Sequence, residues 1–121
     1  MNLTPKSMNY IKIEKHGDPE VLKLDSMPVP EPGPGEVLIR VAAAGVNRPD
    51  IMQRKGLYPP PPGATAVPGL EISGTVVGVG KNVSEPALGS EVCALVVCGG
   101  YAEYCLAAAS ICLPIPEKVS L

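Results

Sequence analysis

Ile72-Ser73-Gly74-Thr75-Val76-Val77-Gly78-Val79, followed at once by Gly80-Lys81-Asn82, is the stretch on which the fold turns. If its glycines open a helix, the chain is a nucleotide-binding α/β protein. If they close a strand, it is mostly β. Two phosphate-binding patterns fail here. A P-loop places a Gly five residues before the second Gly and a Ser or Thr after the Lys, and those positions hold Thr75 and Asn82. A dinucleotide fingerprint, G-x-G-x-x-G, opens a helix, whereas Ser84-Glu85-Pro86 follows and breaks the pattern. The run is therefore a strand that ends in a turn.

The same grammar extends in both directions. Downstream, Glu91 to Val97 reads as a strand, Gly99-Gly100 as a turn, and Tyr101 to Leu106 alternates again before Ile111-Cys112-Leu113. Upstream, Tyr10-Ile11-Lys12-Ile13-Glu14 and Val21-Leu22-Lys23-Leu24-Asp25 alternate with period two across the turn His16-Gly17-Asp18-Pro19-Glu20, as an antiparallel pair does. Pro28, Pro30, Pro32 and Pro34 make an extended connection. Glu36 to Val41 is a strand with Val37, Ile39 and Val41 on one face, and Ala42-Ala43-Ala44-Gly45-Val46 suits a crowded interior strand. Residues 1–7 read as a loose tail. Many short strands divided by Gly and Pro turns mean a barrel or a sandwich.

One helix is expected, near residues 47–55. Asn47 can cap it, Pro49 is tolerated in its first turn, and the Asp50 carboxylate suits the helix dipole. Arg54 and Lys55 stand at its C-terminal end, and Gly56 closes it. Leu57-Tyr58 then leads into the stiff run Pro59-Pro60-Pro61-Pro62-Gly63.

Composition limits the function. A chain of 121 residues holds one domain, and with no Trp, no Phe and only four Tyr its core is aliphatic. A net charge of −2 gives no Lys/Arg surplus to neutralise phosphates, which argues against a nucleic-acid partner. No apolar run approaches the about 20 residues that span a bilayer, and the start has no secretory h-region. The cytoplasm is the expected location. Cys93, Cys98, Cys105 and Cys112 follow a C-x4-C-x6-C-x6-C spacing with no C-x2-C pair. Each lies in an apolar stretch that reads as strand, so they are expected to be core thiols and not a metal or disulfide set.

Three segments carry a family resemblance: Gly45-Val46-Asn47-Arg48-Pro49-Asp50, Gly56-Leu57-Tyr58-Pro59-Pro60-Pro61 and Pro68-Gly69-Leu70-Glu71-Ile72-Ser73-Gly74. With His16-Gly17-Asp18-Pro19-Glu20-Val21-Leu22, their order and spacing resemble the medium-chain dehydrogenases/reductases. Within them the chain is similar to the quinone oxidoreductases of the zeta-crystallin and tumour-suppressor-inducible type, from Met8 to Leu121. The resemblance implies a GroES-like, partly open β-barrel over residues 8–121. It further implies that a Rossmann nucleotide-binding domain, absent from this chain, completes the enzyme.

The resemblance also implies a site. Zinc-dependent members of the superfamily carry a Cys ligand in the stretch matching Gly45–Asp50 and a His in a Gly-His-Glu motif. Those positions here are Asn47 and Leu70, so no metal is expected. NADPH, held mainly by the missing domain, would deliver hydride to a quinone or enone. Tyr58 is the candidate catalytic residue, its phenol bonding the substrate oxygen; packing against the proline loop is the alternative. Asn47 is a candidate for substrate and cofactor contact, or simply a helix cap. Arg48 and Met52 are candidates for the cofactor cleft. Glu71 keeps the family's acidic position with its role open. The expected partner is a small molecule, with the complete protein a homo-oligomer and this chain alone an inactive monomer. A stand-alone GroES-like binding module and a piece of a zinc-dependent alcohol dehydrogenase are the rivals.

Overall fold

The computed structural model describes residues 4–121. Among them are seven strands and one α-helix: β1 (Ser7–Ile13), β2 (Leu22–Pro28), β3 (Glu36–Ala44), α1 (Arg48–Arg54), β4 (Glu71–Val79), β5 (Glu91–Leu95), β6 (Tyr104–Ala108) and β7 (Leu113–Pro114). The fold is mostly β, as expected. Of the expected tail, residues 1–3 lie outside the described residues. Lys6 already accepts the Val29 amide at 3.0 Å, and β1 begins at Ser7. No helix among the described residues is long and apolar enough to cross a membrane.

β1 and β2 pair as an antiparallel hairpin, and the other five strands form one antiparallel sheet in the order β6-β3-β4-β5-β7. The alternation in the sequence has a direct physical consequence. On β3, Val37 and Ile39 point to one side, where Ile39 stands opposite Val76 of β4 and Cys105 of β6. With Ile72, Val92, Ala94 and Ala107 they make a core closed to solvent. Small aliphatic chains fill it because the sequence has no larger apolar ring to offer. The two sheets stay open and do not close into a full barrel.

The reading of Ala42 to Val46 as a separate interior strand is corrected. β3 runs unbroken to Ala44, and its register against β4 shifts between Val41 and Ala43. Such an irregularity re-aims the side chains that follow it, and Ala42 and Ala43 are exposed. Two further expectations shift. β5 stops at Leu95, and β6 starts only at Tyr104. Tyr101 to Glu103 instead joins the two sheets: the Ile11 amide donates to the Tyr101 carbonyl at 2.8 Å, and Glu103 N–H donates to Asn9 O at 3.1 Å. On its other side, Val41 N–H donates to Glu103 O at 2.9 Å.

The Gly80-Lys81-Asn82 run is a turn, with Gly35 N–H donating to Lys81 O at 2.9 Å and no helix following. The four cysteines are free; Cys98 and Cys105 are buried, Cys93 and Cys112 half-buried. Cys98 and Cys112 lie outside the strands, contrary to expectation, because β5 ends early and a 3-10 turn at Ala109–Ile111 precedes β7.

Candidate functional site

The helix forms where its caps require. Asn47 is extended (φ −127°, ψ 159°) as an N-cap must be, and Pro49 sits in the first turn, where its missing N–H costs no intrahelical bond. Asp50, at the third helical position, turns its carboxylate back so that Oδ2 accepts the Asn47 amide at 2.8 Å. At the far end Arg54 is tied to the hairpin loop, its side-chain Nε donating to Gly17 O at 3.0 Å. The helix is thus fixed at both ends by short-range and long-range bonds.

Beneath α1 lies a buried polar cluster. Among the described residues, Asp50 and Gln53 are the buried polar side chains. The Tyr101 hydroxyl donates to Asp50 Oδ2 at 2.6 Å, so that single oxygen accepts two donors. Oδ1 of the same carboxylate is buried and has no hydrogen-bond partner among the described residues. Gln53 Nε2 donates to Ala66 O at 3.3 Å, and Cys98 Sγ approaches Gln53 Oε1 at 4.0 Å. Burial, followed by the bond to Asp50 and its charge, pushes the Tyr101 phenol well above the usual tyrosine range. Burial and then the Asp50 charge raise the Cys98 thiol, and burial with the Cys98 neighbour pushes Cys105 up to about 12. These thiols are held neutral.

Two stretches singled out in the sequence meet beside the helix. Gly45 N–H donates to Glu71 O at 3.1 Å, and a Cβ at Gly45 would collide with the Glu71 side chain. The Leu70–Glu71 end is held in turn by Val96 N–H, which donates to Leu70 O at 2.8 Å. Gly45 and Glu71 border an apolar groove of about 580 Å³ walled by Ala43, Ile72, Leu95, Ile111 and Leu113. Glu71 itself is exposed.

Tyr58 lies elsewhere. It is 45% exposed. It lines a cavity of about 220 Å³ with His16, Gln53, Pro59, Pro60 and Ala66. That cavity and the Glu71 groove share no lining residue, so Tyr58 and Glu71 belong to different depressions. Asn47 is half-buried at the head of α1, Arg48 is exposed beside it, and Met52 is half-buried one turn on. Helix α1 connects these parts, since Gln53 reaches the Tyr58 cavity from its last turn. Sequence reasoning passed over His16, Gln53 and Tyr101. The lone His next to a turn was a usable signal; nothing local marks the other two.

The donor set near Asn47 does not suit zinc. Asn47, Leu70 and Glu71 supply one carboxylate, one amide and an alkyl chain, whereas zinc favours thiolate and imidazole. Among the described residues no group of three or more His, Cys, Asp or Glu is placed to hold a metal ion.

The Alcohol dehydrogenase GroES-like domain family matches residues 33–117. The chain belongs to that family. It is 41% identical over 116 residues to the quinone oxidoreductase of Sus scrofa, covering 94% of this chain and 35% of the pig protein. The solved quinone oxidoreductase of Coxiella burnetii superposes with a TM-score of 0.84 at 30% identity, over 95% of this chain and 39% of that one. A mycobacterial protein solved in complex with NADPH superposes with a TM-score of 0.82 at 37% identity, over 93% of this chain and 35% of that one. The chain spans about a third of the length of the curated relatives it matches.

Proposed function

We propose that this chain is the substrate-side wall of a zinc-independent, NADPH-dependent quinone oxidoreductase. The observation that carries the proposal is the pairing at Gly45 and Glu71. It brings together the two stretches where zinc-dependent family members hold their ligands, and here those stretches offer Asn47 and Leu70. The similarity to curated quinone oxidoreductases and to a protein solved with NADPH supports the same reading.

Bound NADPH would supply the hydride, and a proton from solvent would complete the hydroquinone. Asn47, Arg48 and Met52, on the cap and first turns of α1, would face the cofactor. Tyr58, exposed above an apolar floor, would donate its hydroxyl hydrogen to the quinone oxygen on which negative charge develops. The substrate class is a small quinone or enone, and the setting is the cytoplasm. Among the described residues no strand–Gly-rich turn–helix is present to hold a dinucleotide, which supports the reading that this chain is inactive by itself.

The test grafts residues 1–121 in place of the matching third of the pig enzyme. The expected result is quinone-dependent NADPH oxidation by the graft, reduced by Tyr58→Phe and Asn47→Ala, with none from the 121-residue chain. A folded graft without turnover, rapid turnover by the chain alone, or stoichiometric zinc by elemental analysis would each overturn the proposal.

A further inference from the structure

Tyr101 touches three parts of the molecule. Its carbonyl accepts Ile11 of β1 at 2.8 Å, and its amide donates to Pro68 O at 2.9 Å. Its ring lies over Gly69, where a Cβ would come within 2.7 Å of Cδ1. Its hydroxyl reaches Asp50 in α1 at 2.6 Å. The same aspartate oxygen holds the Asn47 amide. The chain from Pro68 to Leu70 and the head of α1 are far apart in sequence, and this one side chain bonds or packs against both.

We propose that Tyr101 is the positioning residue for Asn47. Its hydroxyl fixes the Asp50 carboxylate, and the carboxylate fixes the backbone of the helix cap. The contact of Asn47 with substrate rests on the function proposed above; its positioning by Tyr101 does not. The geometry makes the dependence strong. Among the described residues the carboxylate is held through Oδ2 by two donors, the Asn47 amide and the short, charge-assisted Tyr101 hydroxyl. Removing the hydroxyl takes away one of the two described donors to a buried carboxylate, so the carboxylate loses its fixed orientation and its hold on the Asn47 amide loosens. A cap loosened in this way misplaces a substrate contact even though Tyr101 touches no substrate. The phenol is suited to the task because burial and the Asp50 carboxylate keep it protonated, and hence a donor, across the working pH range.

The experiment compares the 121-residue chain with Tyr101→Phe, using amide hydrogen exchange by NMR and titration with duroquinone, whose methyl groups block addition to thiols. Tyr101→Phe is expected to speed exchange of the Asn47 amide about tenfold or more and to weaken duroquinone binding at least about fivefold. The core amide of Ile39 should exchange at its wild-type rate. An Asn47 exchange rate unchanged from wild type overturns the proposal, as does retained duroquinone affinity in a variant whose Asn47 amide has been freed. If Tyr101→Phe fails to fold, NMR of the wild-type chain decides: a Tyr101 hydroxyl proton with a cross-relaxation peak to the Asn47 amide is expected, and a hydroxyl proton that exchanges with solvent as fast as that of an exposed tyrosine overturns the proposal. A wild-type chain that binds no duroquinone counts against the proposed function, and the Asn47 exchange rate then decides the positioning role.

Discussion

Replacing Gly69 with Ala should be among the most damaging single-methyl additions in this chain. Gly69 has φ +105°, outside the range that L side chains readily adopt. Its added Cβ would lie 2.7 Å from the Tyr101 amide nitrogen and 2.8 Å from Gly100 Cα, both backbone atoms. The strained backbone costs about 1–3 kcal/mol. Making room parts the two segments and weakens Tyr101 N–H to Pro68 O at 2.9 Å and Gly100 N–H to Gly69 O at 3.1 Å. Those bonds contribute about 0.5–1.5 kcal/mol each, so the total loss is about 2–6 kcal/mol. For a domain of this size the loss lowers Tm by about 8–24 °C. Gly63→Ala is the matched control, because Gly63 also has positive φ (+83°) but no atom within 4 Å of its added Cβ. It should lose only about 1–2 kcal/mol. Thermal unfolding followed by circular dichroism, with urea titration for the free energy, compares the two. Equal losses, within about 0.5 kcal/mol, would refute the idea that the Gly69–Tyr101 approach is what matters.

Three other outcomes are expected. Ile39→Ala, at a fully enclosed position, should cost about 2–5 kcal/mol in urea unfolding. Burial lifts the Cys105 thiol from 9.0 to about 12 in the folded chain. Between those values the unfolded chain gives up that proton and the folded chain keeps it, so stability is full below the lower value and falls as pH rises. The slope from this group is about 1.4 kcal/mol per pH unit, and urea midpoints at rising alkaline pH should show it, with Cys105→Ala flatter than wild type. Cys93 and Cys112, both half-buried, should be labelled by a thiol reagent well before buried Cys98 and Cys105; mass spectrometry of the early adducts identifies them.

Much of the fold could be read from local chemistry. Alternation placed β1, β2 and β3, and the Asn47, Pro49, Asp50 and Gly56 pattern placed α1, because side-chain period, capping and dihedral preferences act within a few residues. Ala42 to Ala44 misled because small apolar residues look alike inside and outside, and only the register shift against β4 exposes Ala42 and Ala43. The site was harder to read. Asp50 was seen as a partner of the helix dipole, which its bond to the Asn47 amide supports. Its second partner, Tyr101, is 51 residues away. No spacing rule reaches that far. Tyr58 and Asn47 were named through family resemblance, and their different surroundings emerge only once Pro59, Pro60 and His16 are seen around one of them.

The strap from Tyr101 to Glu103, which ties the β1–β2 hairpin to β3, also sets an order of events during synthesis. Asn9 bonds the Glu103 carboxylate 94 residues further along the chain. A two-stranded hairpin is barely stable without a surface to lie on. At about 5–20 residues per second, a ribosome releases the completed hairpin roughly 4–15 s before it releases the segment on which the hairpin rests. The first strands made thus wait for a late segment before they are seated, and for that interval their unpaired edges are open to chaperones or to neighbouring nascent chains.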